Sequence, residues 1–250
     1  MSDERLRELE RRWRESGQLS DQAAYLVERV RCGDLEPQRL DLAAWLAVPA
    51  ARRAREELGR DEALDTAATL RSLAEERSKR ARRAVAAALA RWPRPILLRV
   101  ILVAWLERVA DEPAAEWDDV FGRVRATLRT LHGCLDEPWP LSSETSAALE
   151  AAEDQADKAG WGDHPETGEW LPAPDYANTP VARCLQFACV LLLAEPEQVG
   201  GSAASALAYA DAWIYWREVC AALRETLVPW ALGEGDPLPE RLGLILSELR

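Results

Sequence analysis

Apolar residues recur along this chain at helical spacing, and Gly or Pro closes most of the recurrences. Leu6, Leu9 and Trp13 share one face of a first helix that Ser2 can cap and Gly17 ends. A second, opened by Ser20, turns Ala23, Leu26, Val27 and Val30 inward and stops at Gly33. Pro37 fits the first turn of a third, with Leu40, Ala43 and Leu46 inward, and Pro49 the first turn of a fourth that ends at Gly59. Short helices joined by tight turns predict stacked αα-hairpins.

From Asp61 to Trp92 the spacing continues as one long helix or two, with a break near Glu75–Arg83, until Pro93 and Pro95 stop it. Ile96 to Ala110 is apolar on nearly every face, which predicts a central helix covered by neighbours. Trp117, Val120, Phe121, Val124, Leu128, Leu131 and Leu135 then form a stripe on one face of a helix over 113–135. Residues 142–160 predict a helix with an Ala face, suited to close approach of a neighbour. Thr179 and Pro180 open another that runs to about Leu193, a further one is expected from Ala203 to Leu227, and Leu242, Ile245, Leu246 and Leu249 mark the last. No stretch alternates with period two, so little or no β-sheet is expected. Residues 160–180, carrying Trp161, Trp170, Tyr176 and His164, have no helical pattern and predict one long loop.

The expected fold class is therefore all-α: an irregular multi-helix bundle of αα-hairpins with ten to twelve helices and one excursion at 160–180. The expected organisation is N-terminal hairpins over 1–59 and a main bundle over 60–250, or one domain overall. No repeat period recurs through the second half, which weighs against a solenoid.

Composition adds that the chain should fold: 48% of its residues are hydrophobic and 30% charged, near the average for globular domains. The opening is charged from the third residue, unlike a secretory signal, and Arg or Gln interrupts each of the longest apolar runs. A soluble cytoplasmic protein with no membrane contact is expected. Cys32, Cys134, Cys184, Cys189 and Cys220 lack paired spacing and read as reduced, buried thiols.

Charge changes the picture more. The net charge of -12 divides into +2 over residues 1–92 and -14 over 93–250. Positions 136–182 hold eleven carboxylates (Asp136, Glu137, Glu144, Glu150, Glu153, Asp154, Asp157, Asp163, Glu166, Glu169, Asp175) against Lys158 alone. Such a segment repels nucleic acid and attracts a basic surface, though acidic solvated faces also simply keep a protein soluble. Trp139, Trp161, Trp170 and Tyr176 lie among these acids, either as anchors for a partner or as staples holding the loop to the bundle. The cationic run Arg77, Lys79, Arg80, Arg82 and Arg83 follows Glu75 and Glu76 and reads as a mixed-charge helix face rather than a nucleic-acid contact.

Catalytic and cofactor motifs are absent from the sequence: neither phosphate-binding Gly loops nor HExxH, GxSxG or CxxC occur. No cofactor and no metal are expected. Asp118 and Asp119 form a pair of the kind that holds magnesium in helical diphosphate enzymes, but Val-Phe-Gly follows where a third acid is needed, and first-turn carboxylates complement a helix dipole. His132 is expected to serve the last carbonyls of its helix. Asp163, His164, Glu166 and Glu169 are the one conceivable acid/base cluster.

The stretch from Leu6 to Ala54 contains Leu9, Glu10, Arg11, Arg12, Trp13 and Arg14, then Ala23, Ala24, Tyr25 and Leu26, then Leu42–Ala43 followed by Pro49–Ala50–Ala51. In these residues, about the first fifth of the chain, the sequence resembles a group of helical proteins of myxobacteria and related GC-rich bacteria that has no assigned activity. The resemblance implies an all-α bacterial protein and transfers no functional residue.

The functional expectation is a non-enzymatic interaction protein, an immunity or antitoxin-like inhibitor in its concrete form. It would bind a basic partner protein through Trp161, Asp163, Glu166, Glu169, Trp170, Asp175 and Tyr176. The alternatives are a helical-repeat-like regulatory scaffold and an enzyme of unrecognised type using Asp163, His164 or Glu166.

Overall fold

A computed structural model describes residues 2–60, 79–110, 118–163, 170–172, 179–210 and 216–248. The architecture is all-α and multi-helical. Twelve helices and two three-residue strands occur among the described residues, and none of these helices is long and apolar enough to cross a membrane. The chain forms two units, Met1–Thr69 with Leu223–Pro237, and Leu70–Ala222 with Leu238–Arg250.

The first unit contains α1 (Ser2–Ser16), α2 (Leu19–Arg31), α3 (Pro37–Trp45), α4 (Pro49–Glu57) and the later part of α11 (Trp216–Leu232). Helix α2 packs against α1, α3 and α4 through Ala23, Leu26 and Val27. Pro37 and Pro49 occupy the first turns of α3 and α4, where a missing N–H costs nothing. Ser20 does not cap α2: the helix begins one residue earlier, Gln18 stands at the cap position, and Ser16 Oγ accepts from the Gln18 N–H at 3.1 Å.

The ends of α2, α3, α4 and α11 share one device. The residue after the cap adopts positive φ, and two backbone N–H groups reach back to the last turn. Gly33, Gly59 and Gly233 fill this position with φ of 80°, 66° and 75°, and Ala47 does so with φ 66°. Around Ala47 the Val48 N–H donates to Ala43 O at 3.0 Å and the Ala47 N–H to Ala44 O at 3.0 Å. An L-residue held there costs about 1–2 kcal/mol relative to ordinary helix. Arginines add side-chain donors to the same carbonyl ends: Arg224 Nε to Leu46 O at 3.0 Å, Arg52 Nε to Ala44 O at 3.2 Å, and Arg29 Nη1 to Leu232 O. A cation at a helix C-terminus also complements the dipole.

The second unit contains α5 (Lys79–Leu89), α6 (Arg94–Ala110), α7 (Asp118–Gly133), α8 (Ser143–Gly160), strands β1 (Trp161–Asp163) and β2 (Trp170–Pro172), α9 (Thr179–Leu193), α10 (Val199–Tyr209), the start of α11, and α12 (Leu238–Glu248). Helix α9 packs on α6, α7, α8 and α10, and α6 packs also on α10 and α12. Every residue from Ile96 to Leu106 is buried, as the all-round apolar pattern predicts. The Arg that interrupts this run, Arg99, is only 2% exposed; its Nη2 donates to Leu135 O at 3.1 Å and pairs with Asp136 at 3.3 Å. Trp105 is fully buried, and its indole N–H has no acceptor among the described residues. The ~1–3 kcal/mol cost of that orphan donor is smaller than the ~4–6 kcal/mol gained by burying an indole of 150–250 Å² at ~25 cal/mol/Å².

Among the described side chains of α7 the buried members of the stripe are Val124, Leu128 and Leu131, and Leu135 follows the helix; residues 113–117 of the expected helix lie outside the described residues. Ser142 caps α8 by accepting from the Thr145 N–H at 3.0 Å. The Ala face is present: Leu149, Ala152 and Ala156 are buried, and the Thr127 hydroxyl donates to Ala152 O at 2.9 Å. The close approach of α10 to α5 depends on Gly200, where a Cβ would fall 2.0 Å from Ala86 O.

Two expectations change. The helix expected from Ala203 to Leu227 is two, α10 and α11, with Ala210 as the C-cap of the first; residues 211–215 lie outside the described residues. Helix α10 also starts earlier, at Val199, because Gly200 belongs to the contact with α5 rather than to a linker. In the segment expected as a continuous loop, β1 and β2 pair antiparallel, with Trp161 opposite Pro172 and Asp163 opposite Trp170.

Candidate functional site

The acidic segment is not one surface. Between Asp136 and Asp157 there are seven carboxylates and no Lys or Arg, and the structure divides them by what they face. Glu153 and Asp157, one turn apart on α8, meet Arg183 and Gln186 of α9. Arg183 Nη1 donates to Asp157 Oδ1 at 2.7 Å and to Gln186 Oε1. Gln186 Nε2 donates to Glu153 Oε1 at 2.8 Å and to Asp157 Oδ1 at 2.9 Å. Arg183 and Gln186 are each 9% exposed, so these two acids satisfy buried groups and hold the seam between the helices. Glu137 is likewise engaged, accepting from the Thr145 hydroxyl at 2.5 Å.

Asp136, Glu144, Glu150 and Asp154 are exposed. Glu144 and Glu150 have no hydrogen bond or ion pair with another described residue. Trp139, 42% exposed, lies in the same stretch.

Of the residues expected to bind a partner, Trp161 and Asp163 are in β1 and Trp170 is in β2, so the ladder brings Asp163 opposite Trp170 in register. Glu166, Glu169, Asp175 and Tyr176 lie outside the described residues, as does His164 of the acid/base cluster. Asp118 and Asp119 open α7, and His132 stands in its last turn. Of the cationic run, Arg77 lies outside the described residues; Lys79, Arg80, Arg82 and Arg83 are in α5, and Arg83 is exposed.

One concavity in the second unit was not foreseen. Ala90, Trp92, Pro93, Arg94, Pro95, Trp139, Pro196 and Val199 line an open cleft of about 370 Å³. It is built by the turn before α6, the turn before α8 and the turn between α9 and α10. Arg94 organises it: the guanidinium lies 4.7 Å from the centre of the Trp139 ring while donating to Leu192 O at 3.3 Å and to Ala194 O at the end of α9. The sequence signal, in retrospect, is proline beside each wall: Trp92–Pro93, Trp139–Pro140 and Glu195–Pro196–Glu197.

Four of the five thiols are buried, as expected, and Cys32 is not: it is the exposed C-cap of α2. Burial pushes the Cys134 thiol up to about 11, with the Glu137 carboxylate adding to the rise, and burial also raises Cys189. Raised thiols are poor nucleophiles at neutral pH. Among the described residues no group of three or more His, Cys, Asp or Glu side chains could hold a metal ion.

Compared with known proteins, the chain matches no family model, no curated protein and no solved structure.

Proposed function

We propose that the chain is a non-enzymatic protein–protein interaction protein that binds a basic partner through the acidic and aromatic surface of residues 136–182, as an immunity or antitoxin-like inhibitor does. The observation that carries this reading is the exposure of Glu144 and Glu150, which pair with no other described residue, in a stretch of sequence without Lys or Arg. Carboxylates that satisfy nothing inside the protein are available to an opposing cationic surface, where they raise the association rate and fix orientation. Trp161, Asp163, Glu166, Glu169, Trp170, Asp175 and Tyr176 would extend that surface, with indole and phenol rings as its anchors. A second reading, a helical-repeat-like regulatory scaffold that uses a groove, draws support from the aromatic-lined cleft at Trp92 and Trp139.

The test is affinity capture from the native host with the wild-type chain and with Trp161→Ala, Trp170→Ala. A basic protein recovered by wild type at low salt, weakened by moderate salt and by the double substitution, is the expected outcome. Recovery unchanged by both would overturn the acidic-aromatic interface.

A further inference from the structure

The cleft around Trp139 has an uncommon lining. Three of its eight residues are proline, so Pro93, Pro95 and Pro196 offer no backbone N–H, and the carbonyls of Leu192 and Ala194 beneath it are taken by Arg94. Among the described residues no strand edge borders it, which argues against strand addition as a way of holding a chain. Its volume of about 370 Å³ is at the low end for binding sites, enough for a few residues of a docked chain. What it offers is apolar walls of indole and pyrrolidine and a polar handle, the Trp139 indole N–H, which has no acceptor among the described residues.

A chain that suits such a slot brings few backbone donors of its own and is already extended. Polyproline II segments meet both conditions, since their backbone makes no internal hydrogen bonds and their prolines lack N–H groups. Their carbonyls point outward and can accept from an indole N–H, and their rings pack flat on aromatic faces.

Charge selects among such segments. Pro196 is flanked by the exposed Glu195 and Glu197, and exposed Asp136 precedes Trp139 by three residues. The positive charge of Arg94 is directed to the carbonyl end of α9 and lies against the Trp139 ring, which offsets part of its repulsion of an incoming cation. Of the acids near Trp139 and Pro196, Asp136 pairs with Arg99 and Glu137 accepts from Thr145, so Glu195 and Glu197 are the ones available to an incoming cation, at Pro196 rather than at Trp92, which the exposed Arg91 precedes.

We propose that the Trp92–Trp139–Pro196 cleft receives a proline-rich, arginine- or lysine-flanked extended segment of a partner protein. The proposal deepens the reading of a basic partner and rests on it, adding the conformation and the proline content that this second contact would recognise.

The experiment is fluorescence anisotropy with labelled peptides on the full chain: a hexaproline core flanked by arginines, the same core flanked by glutamates, and a Gly/Ser core flanked by arginines. The expected result is binding of the first, with about tenfold or greater weakening for either altered peptide. Trp139→Ala should weaken the first peptide by about tenfold, Trp139→Phe, which keeps an aromatic wall but lacks the indole N–H, should weaken it by a smaller factor, and Glu195→Lys with Glu197→Lys should weaken it without lowering the thermal midpoint. Equal binding of the Gly/Ser peptide would overturn the cleft while leaving the basic-partner reading standing. Equal binding of the glutamate-flanked peptide, or no binding of any, would overturn the proposal as well.

Discussion

Helices α6 and α8 both pack on α9, yet they bury themselves by opposite means. Helix α6 is apolar on every face from Ile96 to Leu106, with Arg99 as its one charge, and gains its stability by excluding water. Helix α8 buries a narrow stripe of Leu149, Ala152 and Ala156 and completes the contact with Glu153 and Asp157 against Gln186 and Arg183. The first contact is held by area, the second by satisfied polar groups at a seam whose small residues bury little. A dense run of carboxylates therefore overstates the surface it makes: those facing α9 are structural, and the exposed Glu144 and Glu150 are the ones that pair with no other described residue.

Substitutions separate the two means. Leu102→Ala in α6 should cost about 3–5 kcal/mol, because a fully buried Leu leaves a cavity that surrounding helices cannot close. Chemical denaturation measures it, and a loss below about 1 kcal/mol would show that α6 is not the enclosed helix its burial indicates. Arg183→Ala should cost less, about 2 kcal/mol. Breaking a fully buried pair costs about 3–5 kcal/mol, but the Asp157 side chain is 36% exposed and water compensates in part. Replacing Arg183 by Met together with Asp157 by Leu should recover much of that loss, since an apolar pair needs no counter-charge. No recovery would mean that the seam needs its charges for more than mutual satisfaction.

Thiol titration gives a smaller, sharper reading. In the native protein at neutral pH the exposed Cys32 should react with an aromatic disulfide reagent, and the other four thiols only after unfolding. The Cys134 shift also has a sign. Its folded value of about 11 lies above the ordinary 9.0, so between them the unfolded chain has released a proton that the folded chain keeps, and stability falls as pH rises through that window. Urea midpoints measured across the window should drop in wild type and drop less in Cys134→Ala.

Sequence pattern carried the helices whose ends are set locally. Gly17, Gly33 and Gly59 stop α1, α2 and α4 with positive φ, and Pro37 and Pro49 open α3 and α4, because these residues act on their own backbone. Ala47 escaped notice since alanine does not advertise a left-handed turn, and Arg52 and Arg224 support that turn from 8 and 178 residues away. The short ladder of Trp161–Asp163 with Trp170–Pro172 was invisible because three residues are too few to display a period of two. The acids of α8 were legible as charge but not as two classes: which of them face Arg183 follows from packing 26 to 33 residues along the chain. The cleft was missed for the same reason, its walls coming from residues 90–95, 139 and 196–199.

The division of the acidic segment is most directly tested by two double substitutions compared side by side. Glu144→Lys with Glu150→Lys reverses exposed charge, whereas Glu153→Gln with Asp157→Asn removes the counter-charge of Arg183. The measurement is the thermal midpoint of each variant together with its recovery of the proposed basic partner at low salt. The account predicts that the first pair keeps its midpoint and loses the partner, while the second falls by roughly 4–8 °C and, once folded, keeps it. The opposite pattern, a destabilised first pair or a second pair that stays stable and loses the partner, would contradict it.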